Sequence, residues 1–189
     1  PANAQFDYVA AIDVQRGDAA PEMATGVVFH DLSRDGVRQD DEPGVAGVIV
    51  SNGRDVTTTG DAITFDDPTT LTGPIGVTSA GGLMTFASTR DGTQDLTLTA
   101  GTGSIDFDAA LGSNTALGAL EIVSAGAVAF DSTVDAASLT QQDGTGTTTF
   151  GGTVTTAGNI EVTTDAIAVN ALLDTQTAGA GGAIALNAD

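Results

Sequence analysis

The chain contains no cysteine, which removes disulfides, thiolate metal sites and cysteine nucleophiles from consideration. Lysine is missing too: the cations are Arg16, Arg34, Arg38, Arg54 and Arg90, set against 25 acidic residues for a formal charge of −20. A surface this short of positive charge cannot displace the counterions of a phosphate backbone, so nucleic acid is excluded as a partner. Its natural small partners are cations, and self-repulsion on this scale suits a saline or calcium-bearing medium. Aromatic residues make up 4% and charged residues 16% of the 189 positions, while glycine alone supplies 25. That balance is poor for a thick globular core and suits a thin stacked one. No run approaches the roughly 18 apolar residues needed to span a bilayer, and no charged start followed by an apolar stretch appears at Pro1. No membrane span is expected.

What the chain does have is a repeat. The pattern apolar–polar–Phe recurs as Ile63-Thr64-Phe65, Met84-Thr85-Phe86, Ile105-Asp106-Phe107 and Val128-Ala129-Phe130. Thr148-Thr149-Phe150 and the Phe-less Ile167-Ala168-Val169 continue it, and successive Phe residues lie 21, 21, 23 and 20 positions apart. A second apolar set rides at similar spacing: Ile75/Val77, Leu96/Leu98, Leu120/Ile122, Leu139, Ile160/Val162 and Ile184/Leu186. Alternation of apolar and polar residues is the period of a half-buried strand. The Gly, Asn, Asp, Ser and Thr residues between these segments are those that let a chain turn sharply. A period of about 20 residues without helical spacing predicts a parallel β-helix of about six coils. Coils would stack about 4.8 Å apart with like above like, so Phe65, Phe86, Phe107, Phe130 and Phe150 would form an internal ladder. Thr64, Thr97, Asp106, Glu121 and Glu161 would face outward. Asp66, Asp108 and Asp131 follow their Phe residues directly, and turn-capping is favoured for them over a second cation site. The Thr pairs Thr97/Thr99, Thr153/Thr155 and Thr163/Thr164 do not hold one register and are read as ordinary strand residues.

The runs "ITFDDPTTLTG", "LTLTAGTGSIDFDAALG" and "FGGTVTTAGNIEVTTDA" resemble the repeats of large bacterial surface proteins of the filamentous haemagglutinin type. The likeness covers roughly residues 60–189 and lies in composition and period. It implies long right-handed β-helices serving as stalks or adhesive shafts.

Upstream, Phe6, Tyr8, Ala10, Ile12 and Val14 alternate with mostly polar neighbours and predict a strand. This strand either joins the sheet of the following segment, the favoured reading, or adds to an exposed edge of another copy. Arg16-Gly17-Asp18 is read as a plain glycine turn. The sharpest local signal begins at Asp31. Counting it as position 1, oxygen-bearing groups fall at Ser33, Asp35 and Gln39, Gly36 sits at the sixth position and Glu42 at the twelfth. This is the arithmetic of a twelve-residue calcium loop, in which Val37 offers its carbonyl and Glu42 closes the shell with two oxygens. Asp31, Ser33, Asp35, Val37, Gln39 and Glu42 are therefore the candidate Ca2+ ligands. His30, the single histidine, is read as a strand-end residue beside the loop.

The flanks of this loop are rich in β-formers rather than helical. The segment "GVVFHDLSRDGVRQDDEPGVAGVIVSNGRDVTTT" resembles the start of the calcium-binding B-type modules of bacterial surface adhesins, which share a transthyretin-like β-sandwich. Gln39 stands where that pattern usually has Asp. The modules also normally continue with further strands, so "GDAITFDDPTTLTGPIGVTS" either completes the module or forms the first solenoid coil. The second is favoured, because Ile63 and Phe65 keep the 21-residue register with Met84 and Phe86. The expected organisation is an all-β chain: a strand and linker over residues 1–22, an abbreviated calcium-binding module over 23–60, and a β-solenoid over 61–189.

The leading functional expectation is an extracellular or cell-surface structural protein, a calcium-stabilised adhesive shaft or filament subunit without catalysis. Its expected partners are further copies, through the N-terminal strand or the solenoid ends, and a surface carbohydrate or host receptor. The strand-like rhythm of "GGAIALNAD" carries the same expectation of a continuing or stacking neighbour. The alternative is a polysaccharide-acting β-helix enzyme of glycosidase type, or a carbohydrate-binding module, since carboxylate pairs abound. A lyase would also need a cation near its acidic sugar, and from Phe65 onward the sole one is Arg90.

Overall fold

A computed structural model describes residues 10–12, 28–30, 55–175 and 181–189. The chain divides into two units, Pro1–Val48 and Ile49–Asp189. In the first, β1 (Ala10–Ile12) pairs antiparallel with β2 (Val28–His30), placing Ala10 opposite His30 and Ile12 opposite Val28. The N-terminal strand thus joins the sheet of the segment that follows it, and His30 is indeed the last residue of a strand.

The second unit is a β-solenoid, and its described elements are all strands. They are β3 (Val56–Thr57), β4 (Ile63–Phe65), β5 (Thr69–Thr70), β6 (Ile75–Thr78), β7 (Met84–Phe86), β8 (Arg90–Asp91), β9 (Leu96–Thr99) and β10 (Ile105–Phe107). They continue as β11 (Leu117–Ser124), β12 (Val128–Phe130), β13 (Val134–Gln141), β14 (Thr147–Phe150), β15 (Val154–Thr156), β16 (Ile160–Thr164), β17 (Ala166–Val169), β18 (Leu173–Asp174) and β19 (Ile184–Ala188). Every pairing among the described residues of this unit is parallel, and each strand hydrogen-bonds to its counterpart one coil away. One face is the ladder β4-β7-β10-β12-β14-β17. Another runs from β3 through β6, β9, β11 and β13 to β16 and β19. A shorter flank carries β5 and β8, then single bridges through Leu111 to Val134, then β15 and β18.

The register is that of the repeat. Ile63, Met84, Ile105, Val128, Thr148 and Ile167 align in one column, and Phe65, Phe86, Phe107, Phe130, Phe150 and Val169 in the next. The rings stack face to face, with centroids 4.8, 4.8, 4.9 and 5.3 Å apart from Phe65 to Phe150. The first three distances equal the strand spacing itself and the fourth is slightly wider, so the ladder is a direct consequence of putting one ring at the same place in each coil. Across the interior stand Ile75, Leu96, Leu120, Leu139 and Ile160 beside Val77, Leu98, Ile122 and Val162. From Leu96 to Val162 the apolar members of these columns are sealed from water, and they constitute the core. A single coil could not enclose any of them.

Sharp corners keep the interior thin. Gly82, Gly103, Gly126 and Gly146 each lie four residues before a ladder phenylalanine. A β-carbon on Gly103 would overlap the carbonyl of Gly82, and one on Gly126 would sit 2.6 Å from the carbonyl of Thr102. The coils approach backbone to backbone here, and only glycine leaves the room.

Two details differ from the sequence expectation, the start of the ladder and the exposure of the outward residues, and the favoured reading of Ile63–Phe65 agrees with it. The parallel ladder begins before residue 61, because Val56 and Thr57 already pair with Val77 and Thr78. Ile63–Phe65 pairs with Met84–Phe86, so this segment is the first rung of the Phe ladder rather than a strand completing the upstream module. Among the outward residues, Thr64 and Glu161 are exposed, whereas Thr97, Asp106 and Glu121 are half-covered by neighbouring coils.

Candidate functional site

The candidate calcium ligands Asp31, Ser33, Asp35, Val37, Gln39 and Glu42 lie outside the described residues. Among the described residues no group of three His, Asp or Glu side chains comes together to hold a metal ion. The chemistry-bearing side chains of the solenoid gather instead at the flank of its first coils, around Arg90.

Arg90 occupies a column that begins with the exposed Thr69 and continues with Leu111, Val134, Val154 and Leu173. It is 2% exposed. Its guanidinium lies over the rings of Phe65 and Phe86, at 4.9 and 5.5 Å from their centroids, an arrangement favoured by the negative face of an aromatic ring. Nη2 donates to the carbonyl of Phe65 at 3.0 Å. Nη1 donates to the carbonyls of Asp67 at 2.8 Å, Thr89 at 2.8 Å and Ser88 at 3.1 Å. Nε has no partner among the described residues. Burial lowers this guanidinium to about 10, against the opposing pull of the Asp67 carboxylate, and the group remains a cation at neutral pH. The one cation among the described residues of the solenoid is thus enclosed and bound to backbone carbonyls.

The next residue, Asp91, is 8% exposed and points the other way, into the bend of the following coil. Its Oδ1 accepts from the amides of Asn114 and Thr115 at 2.7 and 3.2 Å, and from the Ser113 hydroxyl at 3.5 Å, while Oδ2 accepts from Asn114 Nδ2 at 3.1 Å. Burial pushes this carboxyl up, but the hydrogen bonds from Asn114, Thr115 and Ser113 outweigh it and hold Asp91 below the usual carboxylate value. Asp55 and Asp95 act likewise one corner later, accepting from the amides of Gly76 at 3.0 Å and Ala119 at 2.8 Å. Carboxylate capping is therefore a repeated device of this fold, but Asp55, Asp91 and Asp95 perform it. Asp66, Asp108 and Asp131, for which capping was expected, accept no hydrogen bond among the described residues.

Asp108 and Asp131 follow paired phenylalanines and so stand on adjacent rungs. Asp106, in the strand that precedes Asp108, is held above the usual carboxylate value, first by burial and then by the charges of Asp108 and Asp131. An unneutralised acidic rung of this kind costs stability at neutral pH. The Thr97 position confirms that the outer face carries no uniform array, because its ladder neighbours are Gly76 and Glu121.

Inside the solenoid, the column of Ile122 and Val162 is interrupted by Gln141, which is 2% exposed. Its Oε1 accepts from the hydroxyl of Thr148 at 2.7 Å across the interior, and its Nε2 has no partner among the described residues. Gln141 does not stand out by residue type, whereas Arg90 does, as the sole cation from Phe65 onward. Arg90 is found by aligning coils on their phenylalanines: Thr69, Arg90, Leu111, Val134 and Val154 all fall four residues after one, which sets Arg90 among apolar residues. Gln141 is not found this way, because Leu98, Ile122, Gln141 and Val162 fall 12, 15, 11 and 12 residues after theirs.

No family profile matches the chain, and neither a curated protein nor a solved structure shows a significant likeness to it.

Proposed function

We propose that this chain is a secreted structural or adhesive surface protein, a calcium-rigidified shaft or filament subunit without chemistry of its own. The observation that carries the reading is the unbroken stack: six rungs share one register on the Phe face, with ring contacts between every successive pair of phenylalanines. A stack of this kind transmits load along its axis through hydrogen-bonded ladders and adds length in units of a coil. Arg90 supports the same reading over a lyase, since a cation that is 2% exposed and bound to four backbone carbonyls is shut off from a sugar acid in solution. The partners suited to a flat acidic β-surface are copies of the same chain and neutral surface carbohydrate. Calcium belongs to the reading through Asp31, Ser33, Asp35, Val37, Gln39 and Glu42 in the upstream unit.

The test has two arms. Asp31→Ala and Glu42→Ala should lower the thermal midpoint in calcium and leave it unchanged in chelator, because an ion bound to the native state stabilises it by mass action. Equal melting of the parent chain with calcium and with chelator would remove the ion from the account. Incubation with neutral and acidic polysaccharides should give no turnover. Turnover abolished by neutralising a solenoid carboxylate such as Glu121 or Glu161 would replace the structural reading with the enzymatic one.

A further inference from the structure

We propose that the Asp67–Pro68 peptide bond is a self-cleavage site, at which the folded chain divides itself into residues 1–67 and 68–189. It is the one Asp–Pro pair in the sequence. Such a bond is intrinsically weak. The β-carboxyl can close on its own main-chain carbonyl to a five-membered cyclic anhydride, an intramolecular attack that needs no second molecule to be brought into place. The proline nitrogen, a tertiary amide, departs as a secondary amine.

The fold adds two hydrogen-bond donors on the carbonyl under attack. The main-chain oxygen of Asp67 accepts from Arg90 Nη1 at 2.8 Å and from Thr69 Oγ1 at 3.2 Å. Two donors converging on one carbonyl oxygen, one of them a full cation, are the arrangement that stabilises the oxyanion of acyl transfer. The cation is also held ready, because stacking on Phe65 and Phe86 and bonds to the carbonyls of Phe65, Ser88 and Thr89 fix its position. The Asp67 carboxylate attracts this guanidinium, opposing the effect of burial on it. Asp67 and Pro68 are both exposed, which admits the water that the second step consumes.

The chemistry balances within the chain and one water. An oxygen of the protonated Asp67 carboxyl adds to the main-chain carbon of Asp67, and the carbonyl electrons move onto the oxygen held by Arg90 and Thr69. The carbonyl re-forms as the C–N bond breaks, and the carboxyl proton passes to the Pro68 nitrogen. Water then opens the anhydride, leaving Asp67 with two carboxyl groups. The cut falls between β4 and β5, so Ile63–Phe65 keeps its hydrogen bonds to Met84–Phe86 and the two pieces are joined by ladder pairing in place of a covalent bond.

The test compares the full chain folded, as verified by far-ultraviolet circular dichroism, with the same chain unfolded in urea, both at about pH 4, where a carboxyl is substantially protonated. Intact mass spectrometry follows the appearance of residues 1–67 and 68–189. The folded chain should cleave at least about tenfold faster than the unfolded one, since one well-placed donor is worth about 10²-fold or more in an enzyme site. Thr69→Val, an exposed position in a strand, should slow the folded chain several-fold and leave the unfolded rate alone; Arg90→Met should slow it further. Asp67→Ala should abolish both. A folded rate equal to or below the unfolded rate overturns the proposal, as does a folded Thr69→Val chain that cleaves as fast as the parent.

Discussion

Truncating Phe107 to alanine tests the aromatic ladder where it is most constrained. The ring is 1% exposed and has a stacked neighbour on each side, Phe86 at 4.8 Å and Phe130 at 4.9 Å. Emptying such a site costs about 3–5 kcal/mol, from lost transfer energy and the cavity left behind. Within that total each ring pair contributes about 0.5–1.5 kcal/mol beyond its area. Phe150 is equally buried but has one ring neighbour, Phe130 at 5.3 Å, and pairs with Val169 on its other side. Phe107→Ala should therefore exceed Phe150→Ala by about one stacking contribution, on the order of 1 kcal/mol. Urea unfolding followed by far-ultraviolet circular dichroism measures both; the chain has no tryptophan to report by fluorescence. A double-mutant cycle sharpens the test, because Phe86 and Phe107 should couple by about 0.5–1.5 kcal/mol while Phe86 and Phe130, two rungs apart, should add independently. If Phe107→Ala costs no more than Val169→Ala, at a residue 45% exposed, the column is not the core and the stacking argument fails.

Two further outcomes follow from the polar residues. Thr148→Val alone should destabilise by about 1–2 kcal/mol, because it strands the buried Gln141 Oε1, whereas Gln141→Leu combined with Thr148→Val should restore or exceed parental stability by filling both columns with apolar side chains; a double variant weaker than Thr148→Val would refute this and is read from the same urea melts. The acidic side chains set opposite slopes with pH. Asp106 has a raised folded-state value, so its ionisation penalises the fold as pH rises through that value, and the penalty is relieved on acidification; Asp91 has a lowered one, so its contribution is complete above the ordinary carboxylate value and is lost as pH falls through the folded one. Asp106→Thr, which repeats the Thr64 and Thr85 of the same column, should raise the midpoint at neutral pH and bring no gain at low pH. A gain independent of pH would assign it to strand propensity instead of to the repulsion among Asp106, Asp108 and Asp131.

How far the sequence discloses this fold depends on what each column asks of its residues. The Phe column is visible because stacked rings reward the same large side chain at each step, and its spacing located the first rung at Phe65 against the competing reading of that segment. The glycine corner is equally periodic, since Gly82, Gly103, Gly126 and Gly146 keep the same distance from the ladder. It is hard to notice because its requirement is an absent side chain, and glycine also abounds wherever a chain turns. The opposite face drifts: Leu96 follows Phe86 by ten residues, but Leu120 follows Phe107 by thirteen. The extra residues fall in the bend of Ser113–Thr115, and the carboxylate of Asp91 from the coil before satisfies the amides that the longer bend exposes. A period measured on one face therefore gives the coil number and the core, while the polar chemistry of the corners depends on which coil carries the insertion. Arg90 and Asp91 are where those two rules meet. The first borrows a place in a mostly apolar column and satisfies it with ring faces and carbonyls, and the second supplies the acceptor that the next coil's longer bend needs. Their sequence neighbours alone, Thr89 and Gly92, give no hint of either role.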